Sequence, residues 1–153
     1  MRKRTDGEKA AMGRIVPILE GLDIKKNTRG YMPLLDLMSY AAAYPNVKLR
    51  DIIDELSNNN TYIGISITED KKDNQVFPAM VRTIESAFER GRDTQLKDLG
   101  ISKEVIDKVL DSKGDKEDQL ELLEVLGEEY KSYSHEERIV FYFVKKILKY
   151  LGY

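Results

Sequence analysis

The sequence contains no cysteine and no tryptophan, and its 153 residues include one histidine. Without cysteine, the chain forms no disulfide and offers no thiolate nucleophile or cysteine-bound zinc site. The histidine, His135, has no second histidine four positions away, as the helical zinc motif requires. The sequence therefore predicts no bound metal and no cofactor.

Long apolar runs and catalytic motifs are also missing. No apolar run approaches the roughly 18 residues of a membrane-spanning helix, and the N-terminal residues lack the apolar segment of a secretory signal. No glycine-rich phosphate loop, nucleophile elbow or catalytic triad is present. Acidic pairs are common, but they fall on exposed faces of predicted amphipathic helices, whereas paired-carboxylate catalysis needs a shielded cleft. We expect a cytoplasmic binding protein without membrane contact, and not an enzyme.

The chain is nearly neutral, with a formal net charge of -2, but the charge is unevenly distributed. Residues 1–91 carry 14 basic and 13 acidic side chains, whereas residues 92–153 carry 11 basic and 14 acidic ones. Because phosphate contacts need clustered lysine and arginine, a nucleic-acid surface is expected in the first part. The second part is typical of a solvated helical surface or a protein-binding face.

Apolar spacing and capping residues predict a mainly α-helical chain. Thr5 and Ser134 each precede a glutamate by three residues, which is the spacing of a capping box, and they predict helix starts directly after them. Pro17 predicts a kink or a restart within the first helix. Further helices are predicted over approximately residues 33–44, 47–56, 78–90, 102–110 and 115–130.

Residues 61–77 interrupt this helical pattern. Residues 62–68 are rich in β-branched side chains and alternate with polar ones, and Val76-Phe77 could pair back across a polar turn. We therefore expect a mainly α fold, a helical bundle that contains a helix-turn-helix-like unit, a short β insertion at about 61–77 and a C-terminal helical extension. The predicted domains are 1–91 for the helix-turn-helix unit and 92–153 for the extension.

Two segments have helix-turn-helix character. In the first, the helix predicted over 47–56 leads, after a long connection, to residues 78–91. In the second, residues 99–102 form a corner that resembles the cap of a recognition helix, but the helix after it carries Glu104 and Asp107, which would repel phosphate. We interpret the second segment as a structural corner.

Residues 18–31 join an apolar helix end, a polar loop and Arg29-Gly30-Tyr31. This pattern resembles the opening of the C-terminal DNA-binding domain of the stage-zero sporulation master response regulator. Residues 80–91 are similar to the recognition helix of that family, in which an arginine, an apolar residue three positions before alanine, and a following glycine recur at this spacing. The resemblance covers about residues 14–91. In the family a receiver domain precedes this module, whereas only residues 1–13 stand before it here, so we expect no control by aspartyl phosphate.

The resemblance implies a DNA-binding, transcription-regulator-like protein that binds double-stranded DNA. It places base contacts on the exposed face of the helix at 78–91, and phosphate contacts on the loops around the second helix. The Arg2-Lys3-Arg4 arm would add minor-groove or backbone contacts. The implied base contacts are Arg82, Thr83, Ser86 and Arg90, and the implied phosphate contacts are Lys25, Lys26, Arg29, Lys48 and Arg50.

Protein binding is the alternative function. The first part of the chain is nearly neutral, and Glu85 and Glu89 stand beside Arg82, so the scaffold would then be a protein-protein interaction or regulatory module. The last helix is apolar over most of its circumference. It either mediates a homodimer or another protein contact through residues 116–151, or packs on residues 1–91 as part of one core.

Overall fold

The computed structural model describes residues 4–58, 76–111 and 116–153. These residues form eight α-helices and one 3₁₀ helix, and no strand occurs among them. None of these helices is both long and apolar enough to cross a membrane. The α-helices are α1 (Asp6–Gly21), α2 (Tyr31–Ala43), α3 (Leu49–Asn58), α4 (Val76–Glu89), α5 (Asp93–Asp98), α6 (Lys103–Asp111), α7 (Lys116–Leu126) and α8 (His135–Tyr150), and the 3₁₀ helix is Glu128–Ser132.

The capping residues act as predicted at the starts of α1 and α8. Thr5 Oγ1 accepts a hydrogen bond from the Glu8 backbone N–H at 3.2 Å. Ser134 Oγ accepts one from the Glu137 N–H at 3.2 Å, and the Glu137 carboxylate accepts one in return from the Ser134 N–H at 3.0 Å. The second pair is a complete capping box, so both predicted helix starts are confirmed.

The structure corrects two of the predictions. Helix α4 begins at Val76 and not at Pro78, so Val76 and Phe77 are helical and do not pair as a strand. Pro78 is tolerated because it occupies the third helical position, where the backbone has no N–H partner to lose. Helix α1 continues through Pro17, so the predicted restart is wrong, and the kink stays a prediction. Residues 61–75, the remainder of the predicted β insertion, lie outside the described residues.

One hydrophobic core joins residues from both predicted domains. Helix α8 supplies Phe141, Tyr142 and Phe143, which are almost completely buried, and it packs against α2, α4, α6 and α7. Phe141 meets Phe77 of α4 edge-on, with ring centroids 6.1 Å apart. The apolar surface of the last helix is therefore covered within the chain. The division at residue 91 and a homodimer through 116–151 stay predictions.

Helix α2 carries a buried carboxyl group. Asp36 is 2% exposed and accepts a hydrogen bond from Arg4 Nη2 at 2.8 Å. Burial raises the pKa of Asp36 to about 6, because the interior disfavours the charged form more than Arg4 favours it. Arg4 is the described residue of the predicted basic arm, and it is turned towards α2 rather than outwards.

Candidate nucleic-acid interface

Gly30 allows the loop at residues 22–30 to lie directly against α4. A Cβ atom at this position would stand 2.5 Å from the Ala79 carbonyl carbon and 2.6 Å from Thr83 Oγ1. Because real side chains do not approach so closely, the contact requires glycine. Thr83 Oγ1 also lies 3.4 Å from Thr28 Oγ1. The glycine of the Arg-Gly-Tyr pattern therefore holds a cationic loop beside α4.

Asp23 fastens the other end of this loop to α4. Its backbone has a φ of 58°, which aspartate and asparagine adopt more readily than most residues. Its carbonyl oxygen accepts a hydrogen bond from Arg90 Nη1 at 2.8 Å. Its carboxylate lies 3.1 Å from Lys25 Nζ, 3.4 Å from Arg90 Nη1 and 4.0 Å from Arg92 Nη2. The hydrogen bond from Lys25 contributes most to lowering the pKa of Asp23, and Arg90 lowers it further.

These contacts bring cations from the loop and from the end of α4 to one surface. Lys26 is paired with Glu20 of α1 at 3.3 Å, and Arg82 is exposed on α4. Arg82 shares a helical face with Ser86 and Glu89, since the three follow one another at spacings of four and three. We call this region the loop–helix surface, and its cations are Lys25, Lys26, Arg29, Arg82, Arg90 and Arg92.

Thr83 is wrongly predicted as an exposed base contact. Its side chain is 2% exposed and donates a hydrogen bond to the Ala79 carbonyl oxygen at 3.0 Å. Ala79, one turn earlier on the same side of α4, is also buried. Ser86 is half-buried and donates to the Thr83 carbonyl oxygen at 2.6 Å. The exposed face of α4 is narrower than predicted because the loop at 22–30 covers one side of the helix.

Lys48 and Arg50 lie in a different setting. The Lys48 ammonium pairs with Glu129. The Arg50 guanidinium donates to both carboxylate oxygens of Glu137, at 3.1 Å and 3.3 Å, and stands 5.2 Å from the centre of the Tyr133 ring. We call these five residues the Arg50 cluster. The predicted phosphate contacts thus divide into two groups with different partners.

Arg92 and Asp23 were missed in the sequence. Arg92 stands two positions after Arg90, across Gly91, and this Arg-Gly-Arg spacing was a signal that both guanidinium groups are near the end of α4. Arg92 Nε is buried and has no hydrogen-bond partner among the described residues. The contacts of Asp23 with Arg90 and Arg92 had no local signal, because these two partners are distant in the chain.

No protein-family model, curated protein or solved structure matches this chain. The resemblance to the sporulation regulator stays a prediction. Within residues 4–58, 76–111 and 116–153, no three histidine or acidic side chains stand together as a metal site. A function is therefore proposed from the geometry of the described surfaces.

Proposed function

We propose that the protein binds double-stranded DNA as a transcription-regulator-like protein, with α3 and α4 as its helix-turn-helix-like pair. The supporting observation is the close contact of the 22–30 loop with α4, made at Gly30 and Asp23. A helix beside a cationic loop suits duplex DNA, because the major groove admits a helix while lysine and arginine bind the flanking phosphates.

The two kinds of contact fall on different parts of the loop–helix surface. Arg82 is exposed on α4, where a guanidinium group can read guanine through two hydrogen bonds. Lys25, Lys26 and Arg29 are exposed on the loop and would bind phosphate. Thr83 has no part in this proposal, because its hydroxyl group is used inside the protein.

The DNA-binding proposal is tested by selecting bound duplexes from a random-sequence pool and measuring their affinity by fluorescence anisotropy. We expect the affinity to fall steeply between about 50 and about 200 mM salt, because phosphate binding releases counterions. Arg82→Ala should cost on the order of 1–3 kcal/mol on the selected duplex. Lys103→Ala, which removes an exposed cation from α6, is the matched control and should leave affinity nearly unchanged. An absence of binding at low salt would overturn the proposal.

A second function, protein interaction, is favoured by a groove of about 570 Å³. The groove lies between α7, α8 and the segment that joins α2 to α3. Buried Leu49 and Leu148 line it, together with Leu120, which is 62% exposed, and Tyr153. Such an exposed leucine beside an apolar groove is typical of a surface that receives another helix.

The charges along the α8 side of this groove favour an acidic partner. Lys145, Lys146 and Lys149 line the groove on α8, and Glu121 and Glu124 line it on α7. Lys146 is already paired with Glu121 at 3.4 Å, while Lys145 and Lys149 stand one turn apart. The groove therefore fits an amphipathic helix of another protein that has leucines on one face and carboxylates along the edge facing α8.

Two synthetic helices of equal length and identical apolar face, one flanked by glutamates and one by lysines, test this second function by anisotropy. The acidic helix should bind at least tenfold more tightly, and Leu120→Asp or Lys145→Glu/Lys149→Glu should remove that binding. Lys131→Glu, on the 3₁₀ helix, is the control. Equal binding of both helices, or self-association by light scattering that Leu120→Asp abolishes, would contradict an acidic partner.

A further inference from the structure

Three cations share a single carboxylate at the junction of the 22–30 loop and α4. The Asp23 carboxylate accepts hydrogen bonds from Lys25 Nζ at 3.1 Å and from Arg90 Nη1 at 3.4 Å, and it lies 4.0 Å from Arg92 Nη2. Neither arginine therefore makes the close, two-bond pairing that guanidinium and carboxylate prefer. Arginine presents five N–H donors, so donors exceed acceptors at this junction.

Arg92 shows this excess most directly. Its Nε is buried and has no hydrogen-bond partner among the described residues. A buried donor without an acceptor is unfavourable, because the group has lost its contact with water and gained nothing in exchange. An anion with more oxygens than Asp23 supplies would offer acceptors to the guanidinium donors that remain unused at this junction.

The junction is open to such an anion from solvent. The Asp23 side chain is 35% exposed, and those of Arg90 and Arg92 are about equally exposed. The backbone of Asp23 is fixed separately, since its N–H donates to the Glu20 carbonyl oxygen at 2.9 Å and its carbonyl oxygen accepts from Arg90. Rotation of the Asp23 side chain can therefore expose the cations without unfolding the loop.

We infer that Lys25, Arg90 and Arg92 form a binding site for one phosphate group, and that the Asp23 carboxylate occupies it until phosphate displaces it. The three cations supply donors of the kind that bind phosphate oxygens through charge-assisted hydrogen bonds. That the phosphate belongs to a DNA backbone rests on the proposed function. The site itself is defined by the charges at the junction, and inorganic phosphate shares the same chemistry.

The substitution Asp23→Asn tests whether the Asp23 carboxylate competes with phosphate for the three cations or only stabilises the fold as an ion pair. Asparagine keeps the size of the side chain and tolerates the positive φ, but it removes the charge that repels phosphate. Phosphate should bind the variant roughly five- to tenfold more tightly, since a unit charge about 4 Å away has an effect of this size where water screens it. A structural ion pair would instead lose stability on this substitution and gain no affinity.

The test is a titration of the full chain with inorganic phosphate, against chloride at matched ionic strength. The signals of the Arg90 and Arg92 side-chain Nε–H groups are followed by ¹⁵N NMR. We expect saturable shifts, a roughly five- to tenfold lower midpoint in Asp23→Asn, and loss of that gain in Asp23→Asn/Arg92→Gln. Glu104→Gln removes an exposed acid from α6 and should leave the midpoint unchanged. Non-saturating shifts, or equal midpoints in wild type and Asp23→Asn, would overturn the inference.

Parallel titrations with duplex DNA keep the two proposals apart. If phosphate saturates the site while DNA does not bind, the phosphate site stands and the DNA-binding proposal fails. If DNA binds wild type and Asp23→Asn equally well, the DNA-binding proposal stands and the displacement of Asp23 by phosphate is wrong.

Discussion

The loop–helix surface and the Arg50 cluster are both rich in cations, but their carboxylates are arranged differently. In the Arg50 cluster, Lys48 has Glu129 and Arg50 has both oxygens of Glu137, and both acids come from the second half of the chain. At the loop–helix surface, three cations share Asp23. The first arrangement satisfies its cations and ties two halves of the molecule together. The second leaves cationic donors available to an external anion.

The difference shows that residue type and sequence position do not establish a phosphate contact. Lys25 and Lys48 are both exposed lysines of the first half, and the resemblance to a DNA-binding family implies the same role for both. What distinguishes them is the number of carboxylates available to each group of cations. A cation that has a carboxylate of its own would have to give that partner up to bind DNA.

The largest loss of stability is expected for a substitution in the core directly beneath the Arg50 cluster. The Tyr133 ring under Arg50 meets Phe141 edge-on, with centroids 5.0 Å apart, and Phe141 is fully buried. Phe141→Ala should lower the free energy of unfolding by about 3–5 kcal/mol, measured by urea denaturation. Tyr150→Ala removes an exposed ring from the same helix and should change it by less than about 0.5 kcal/mol. Similar losses in both variants would contradict the central position of α8.

The pair of Arg4 and Asp36 extends the comparison to a cation held at a buried carboxyl group. The pKa of Asp36 is raised to about 6 in the folded protein, well above the usual pKa of an aspartate. The folded state therefore binds the proton more tightly, so this contribution to stability is largest below pH 4 and is lost as the pH rises through 6.

Asp36→Asn removes this pH dependence. The stability of wild type relative to the variant should fall by about 2 kcal/mol between pH 4 and pH 7, as measured by urea midpoints across that range. A constant difference between the two proteins at every pH would show that Asp36 titrates normally. Since both proteins carry all other titrating groups, their contributions cancel in the comparison.

Gly30→Ala is expected to disturb the loop–helix surface and leave the Arg50 cluster intact. The added methyl group would overlap Ala79 and Thr83, so the variant should lose about 1–3 kcal/mol of unfolding free energy and bind DNA more weakly. Gly13→Ala is the matched control, because no described atom lies within 4 Å of its Cβ position on α1. It should gain up to about 1 kcal/mol, since alanine favours a helix interior. Thermal unfolding measures both changes in stability. If Gly30→Ala also raised the stability, the close contact of Gly30 with α4 would be contradicted.

The smallest loss of stability is expected at the N-terminal cap of α8, which Glu137 links to the Arg50 cluster. Glu137 Oε1 accepts hydrogen bonds from both the Ser134 N–H and Arg50 Nη2. Ser134→Ala should cost about 1 kcal/mol of stability in thermal unfolding, and Ser134→Thr should restore most of it. Neither change should alter DNA affinity. A loss of affinity in Ser134→Ala would mean that the Arg50 cluster also contributes to binding.

Local signals account for the parts of the fold that were predicted. Thr5 and Ser134 act within one helical turn, so their capping is visible in the sequence. The burial of Thr83 depends on a loop more than 50 residues earlier, which helical periodicity cannot show. The pairing of Arg50 with Glu137 spans 87 residues and is equally hidden. The cations of the candidate site could be predicted as residue types, but their division into two groups required the tertiary structure.

The most direct test compares the salt dependence of DNA binding in Lys25→Gln and Lys48→Gln. Both substitutions remove one exposed lysine that pairs with a single carboxylate, Asp23 or Glu129. A lost phosphate contact should reduce the slope of the logarithm of affinity against the logarithm of salt concentration by about 0.9. We predict this reduction for Lys25→Gln and the wild-type slope for Lys48→Gln. Equal slopes in the two variants would contradict the division of the cations into a DNA-binding surface and a structural cluster.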